Sequence, residues 1–107
     1  MKQFNKLVRD KIPDIIASNN EKAVTRVLGE NEYIKELNIK LQEEVNEYFV
    51  DENVEELADI VEVIYGILDS KNIKLEDFEK IRNSKIEKRG AFKKRIFLEY
   101  TLNNEKE

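Results

Sequence analysis

Gln42-Glu43-Glu44-Val45-Asn46-Glu47, followed after a short connection by Glu55-Glu56-Leu57-Ala58-Asp59, are the stretches on which the reading of this chain turns. Both lie inside apolar patterns of helical period. From Glu30 to about Val50, Ile34, Leu37, Leu41, Val45 and Tyr48 recur at spacings of three and four, which predicts a long amphipathic helix. From about Val54 to Ser70, Leu57, Val61, Ile64 and Leu68 predict a second helix. The link Asp51-Glu52-Asn53 is short enough to force an antiparallel hairpin, and Asp51 or Asn53 can cap the second helix.

Residues three apart on a helix are neighbours on its surface, about 60° apart around the axis. Glu44 with Glu47, and Glu56 with Asp59, therefore form two clamps of paired carboxylates. In a hairpin the two clamps sit at comparable depth and can face each other. Glu43 projects to the other side of its helix. A second line on the second helix runs Glu56, Ile60, Val63, Ile67, so Glu56 stands where packing alone calls for an apolar residue. A lone buried carboxylate is costly unless it is paired or bound to a cation. Each acidic cluster taken singly is also the ordinary surface of a solvated helix or a helix start. Together, on adjacent helices, they point to a cation site.

Composition narrows the choice of cation. The chain has no His and no Cys, which excludes thiolate and imidazole ligation and His-based nucleophile activation. Oxygen ligands alone favour Mg²⁺, Mn²⁺ or Ca²⁺. The formal net charge is −4, which argues against general binding of a nucleic-acid polymer. No apolar run is long enough for a membrane span and no secretory pattern opens the chain, so a cytoplasmic protein without membrane contact is expected. With 107 residues there is material for a single domain, 1–107. Charged residues reach 39%, nearly the 40% that are hydrophobic, so the core is small and an oligomer is expected to complete it.

Outside the hairpin, Pro13 predicts a short helix to Ser18, ended by Asn19-Asn20. Ala23 to Leu28 is β-branched and partly alternating, and residues 92–100 have a similar character. A further helix is expected from Leu75 to about Lys88, stopped by Gly90. The fold expected is thus mainly α: an antiparallel helical hairpin completing a four-helix-bundle-like core on oligomerisation, with a small β-hairpin from residues 23–28 and 92–100. Cations cluster in two places. Lys85, Lys88 and Arg89 either complement a helix C-terminus or grip phosphate. Arg9 and Lys11, flanking Asp10, form either an ion-pair knot or a second phosphate contact. Lys40 pairs with Glu44 four residues on, supports the site, or contacts substrate.

Glu43-Glu44-x-x-Glu47 followed by Glu56-x-x-Asp59 resembles the E-E-x-x-E … E-x-x-D signature of the all-α nucleoside triphosphate pyrophosphohydrolases. That superfamily includes MazG, the dimeric dUTPases and phosphoribosyl-ATP pyrophosphohydrolase. Lys6-Leu7-Val8-Arg9-Asp10-Lys11-Ile12-Pro13, Lys40-Leu41-x-Glu43-Glu44, Glu55-Glu56-Leu57-Ala58-Asp59 and Lys88-Arg89-Gly90-Ala91-Phe92, in that order, look like its MazG-like, phosphoribosyl-ATP pyrophosphohydrolase-like subgroup. The resemblance implies Glu44, Glu47, Glu56 and Asp59 as ligands of Mg²⁺ (or Mn²⁺), and Glu43 as the base that activates water. It implies Lys85, Lys88 and Arg89 as phosphate contacts. The implied reaction cleaves a nucleoside triphosphate between its α- and β-phosphates, releasing the monophosphate and pyrophosphate, as in house-cleaning of non-canonical nucleotides. The implied assembly is a homodimer or homotetramer. The alternatives are a phosphoribosyl-ATP substrate, or a non-catalytic nucleotide-binding or helical interaction module.

Overall fold

Helix boundaries follow the punctuation of the chain. The computed structural model describes residues 1–103 and contains α1 (Ile12–Ser18), α2 (Glu30–Asp51), α3 (Val54–Ser70) and α4 (Leu75–Arg89). The chain divides into two compact units, Met1–Leu75 and a second that begins at Glu76. Among the described residues, no helix is long and apolar enough to cross a membrane.

In the first unit, α1 carries Pro13 in its opening turn, where the missing N–H costs nothing. Gly29 precedes α2 in extended conformation, and Glu30 and Glu32 place negative charge on its positive end. Arg26 forks onto Glu32 at 2.6 and 2.9 Å, tying the preceding segment to that first turn. At the other end Glu52 adopts a left-handed conformation (φ 52°), and its N–H donates to the Tyr48 carbonyl at 2.7 Å. Asn53, not Asp51, caps α3: its Oδ1 accepts the Glu56 N–H at 3.0 Å. Asp51 is the last residue of α2. The cap thus fixes the backbone at Glu56.

α2 and α3 pack as an antiparallel hairpin. Ile34, Leu41, Val45 and Tyr48 are half-buried and Leu37 is buried, as the period predicts. Leu37 is the most enclosed apolar side chain, 4% exposed, and only Val63 and Leu68 join it as buried apolar residues among those described. On α3, Val63 and Leu68 are buried and Glu56, Ile60, Ile64 and Ile67 half-buried, while Leu57 and Val61 remain 42% exposed. The apolar stripe of this helix is therefore split. One side closes the hairpin, and Val54, Leu57, Val61 and Tyr65 face outward.

Gly66 lets the helices approach. A Cβ at this position would lie 3.0 Å from Leu37 Cδ2 and 3.6 Å from the Tyr33 hydroxyl. Gly66→Val is therefore expected to cost about 1–3 kcal/mol through overpacking. Chemical denaturation checks it; unchanged stability would mean that the hairpin is looser than described.

In the second unit, α4 begins with acidic Glu76 and Asp77 and ends with Lys88 and Arg89, matching the helix dipole at both ends. Gly90, at φ 82°, stops it, and its N–H donates to the Ile86 carbonyl at 2.7 Å. The small β-hairpin expected from residues 23–28 and 92–100 is not formed: there is no strand among the described residues. Val24 and Val27 are 89% and 98% exposed, so β-branched residues have no pleated surface to pack on. β-propensity is largely such packing, and a two-stranded ribbon alone is marginal in water.

Candidate metal centre

The centre is built on one face of the hairpin. Glu44 lies two turns beyond Leu37 on α2, so the packing that buries the leucine carries the glutamate inward as well. It is 7% exposed and is the one buried charged residue among those described. Across from it, the Asn53 cap sets Glu56 in the first turn of α3, and Asp59 follows one turn later. Glu44, Glu56 and Asp59 each offer a carboxylate oxygen, all within 4.8 Å of one another. Glu44 Oε2 and Glu56 Oε2 are enclosed and have no hydrogen-bond partner. Three of the four expected ligands thus converge. Glu47 is more exposed and outside that set, yet close enough to Glu44 and Glu56 to act on the protons of both. With Asn46, Val50, Asp51 and Glu56 it lines a groove of about 420 Å³ at the closed end of the hairpin.

The electrostatics are those of an under-compensated acidic site. Burial raises the Glu44 carboxyl above its ordinary range, Glu47 and Asp59 raise it further, and Lys40 opposes them. Burial and then Asp59 raise Glu56 as well. A group whose native pKa is raised binds its proton more tightly folded than unfolded. The cation-free protein therefore loses stability as pH rises from about 4.5 through the raised native values. Glu32, lowered by its hydrogen bond to Arg26, has the opposite sign and acts below 4.5, outside that window. Glu44→Gln is expected to flatten the slope and raise the melting temperature of the cation-free protein at neutral pH. Thermal melts from pH 4.5 to 8 check it, and an unchanged slope would place the strain elsewhere.

The expected cations fall into three groups. Lys40 is largely buried and reaches both Glu44 (3.5 Å) and Glu43 (3.4 Å). Glu43 is half-buried and also takes Lys6 at 3.7 Å, so the candidate base lies beside the cluster between two ammonium groups. Arg9 Nη2 bonds Asp59 Oδ1 at 2.6 Å. Lys11 precedes α1, is exposed, and has no ion pair among the described residues. Lys85, Lys88 and Arg89 lie in the second unit, where with Lys80, Ile81 and Ser84 they line a shallow groove of about 390 Å³ on α4. Sequence reasoning missed Lys6. Its three-residue offset from Arg9 was the available signal, but only the fold reveals that both reach the hairpin.

The donor set fits a hard divalent cation: all oxygen, anionic, partly enclosed, with an unpartnered buried oxygen on two of its three residues. Compared with protein-family models, curated proteins and solved structures, the chain matches none of them.

Proposed function

We propose that this protein is a divalent-cation-dependent nucleotide pyrophosphohydrolase, with Mg²⁺ or Mn²⁺ held by Glu44, Glu56 and Asp59 and assisted by Glu47. The observation that carries the reading is the buried, unpartnered Oε2 of Glu44 beside the equally unpartnered Oε2 of Glu56, across the hairpin. Buried carboxylate oxygens with no hydrogen-bond donor are a standing cost, even with Lys40 on the other oxygen of Glu44, and a bound cation is the simplest compensation. When bound, a divalent cation supplies charge neutralisation and polarisation of phosphate oxygens.

The side chains of the chain supply the rest. Glu44, Glu56 and Asp59 fix where the phosphate end of a substrate sits, and the groove beside Glu47 and Glu56 admits it from solvent. Lys40 holds Glu43 and Glu44 in place. Glu43 takes the proton of the attacking water, whose oxygen adds to the α-phosphorus as the bridging bond to the β-phosphate breaks and pyrophosphate leaves. Arg9 and Lys11 supply positive charge for phosphate oxygens. The outward stripe Val54, Leu57, Val61, Tyr65 supports a homo-oligomer, because it leaves apolar surface that a second copy would cover.

A panel of nucleoside triphosphates and phosphoribosyl-ATP, assayed for pyrophosphate with Mg²⁺ and with chelator, tests the reading. Cation-dependent release of pyrophosphate from a triphosphate supports it. Release from phosphoribosyl-ATP alone would move the substrate class, and no release from any compound would favour a non-catalytic nucleotide-binding module.

A further inference from the structure

The segment that precedes α1 does more than lead into the helix. Arg9 bonds Asp59 on α3 at 2.6 Å, and Lys6 pairs with Glu43 on α2 at 3.7 Å, so residues 6–9 straddle both helices of the hairpin. Leu7 and Val8 between them are half-buried, and the Ile12 N–H donates to the Arg9 carbonyl at 3.1 Å, which fixes the backbone at the far end. Asp59 is at once the anchor of this segment and one of the three carboxylates that converge on the centre.

We propose that residues 6–9 form a charged strap that competes with the divalent cation for Asp59; this rests on the cation-site reading above. Three observations carry it. The Asp59 oxygen that receives the guanidinium is engaged in a short charge-assisted bond, and the same carboxylate belongs to the acidic cluster. Lys6 and Arg9 together bring two positive charges to the rim of the acidic cluster, the charge of one divalent cation. The Arg9–Asp59 pair is open to water, with side chains 55% and 36% exposed, so it exchanges readily and holds only weakly. Without a cation, the strap supplies counter-charge to Asp59 and Glu43 and leaves Glu44 and Glu56 under-compensated. Loading of the cation frees Arg9, whose fork is then free to take an anionic ligand. Lys40 stays in place because it is largely buried and pairs within its own helix.

The test uses the full chain, with calorimetric titration of Mg²⁺ and Mn²⁺ and hydrogen exchange of the strap amides. Arg9→Gln is expected to tighten cation binding by about two- to five-fold, the range open to an exposed ion pair. In the wild type, cation is expected to speed exchange over residues 6–12. Unchanged or weaker binding in Arg9→Gln, or strap protection that stays level or rises with cation, overturns the strap while leaving the cation site standing. Absence of binding in both proteins overturns the cation site and the strap together. Circular dichroism confirms that Arg9→Gln folds, and the wild-type exchange experiment decides the question should it not.

Discussion

Glu56→Gln is expected to cut cation-dependent pyrophosphate release by at least about 100-fold, more than the usual loss of a supporting partner of a metal ligand. The helices should remain intact, because the substitution keeps the shape of the side chain and does not touch the Asn53 cap, which bonds the Glu56 backbone. The cation-free variant should also be at least as stable as the wild type. Glu56 stands on the inward line with Ile60, Val63 and Ile67, its Oε2 is unpartnered, and its carboxyl is raised by burial and by Asp59. Neutralising it removes repulsion within the cluster. The pair of readouts, lower turnover with equal or higher melting temperature, separates a ligand from a structural residue. A variant that retains turnover would remove Glu56 from the site, and one that unfolds would make it part of the scaffold.

Leu37→Ala is expected to cost about 2–5 kcal/mol, the range for truncating a buried leucine. Small domains hold about 5–15 kcal/mol in total, so this loss takes a large share. Leu37 is the most buried apolar side chain described, and it fills the space that Gly66 leaves open. Val63 and Leu68 are the only other buried apolar residues described, so Leu37 is a large part of a small core. The same face of α2 carries Glu44 two turns further on, so loosening Leu37 also loosens one side of the cation site. Urea unfolding monitored by circular dichroism measures the loss. A change below about 0.5 kcal/mol, typical of surface substitutions, would show that the hairpin is held by something other than this contact.

Much of this arrangement was legible in the residues, for physical reasons. Local rules govern helix existence and limits, and Pro13, Gly29, Asn53 and Gly90 act within a turn of their own position. The short link between α2 and α3 leaves one antiparallel pairing, which brings Glu44 to Glu56 and Asp59. Glu56 could be singled out because a carboxylate interrupting an apolar line is improbable without compensation. Other features were not legible. Which line of α3 faces inward depends on how the whole hairpin packs, so Leu57 and Val61 read as core although they face outward. The β-branched run from Ala23 to Leu28 read as a strand, because propensity does not reveal whether a partner exists. The Arg9–Asp59 pair spans fifty positions, and no local pattern announces it. The left-handed Glu52 was equally hidden, since glycine is the usual residue at such a helix end.

The proposed site holds one divalent cation among the carboxylates gathered around Glu44. The most direct measurement is Mn²⁺ binding followed by electron paramagnetic resonance, on the wild type and on Glu44→Gln. One bound Mn²⁺ per chain in the wild type, lost in the variant and displaced by excess Mg²⁺, is the predicted result. Equal binding by both proteins, or none by the wild type, would contradict it.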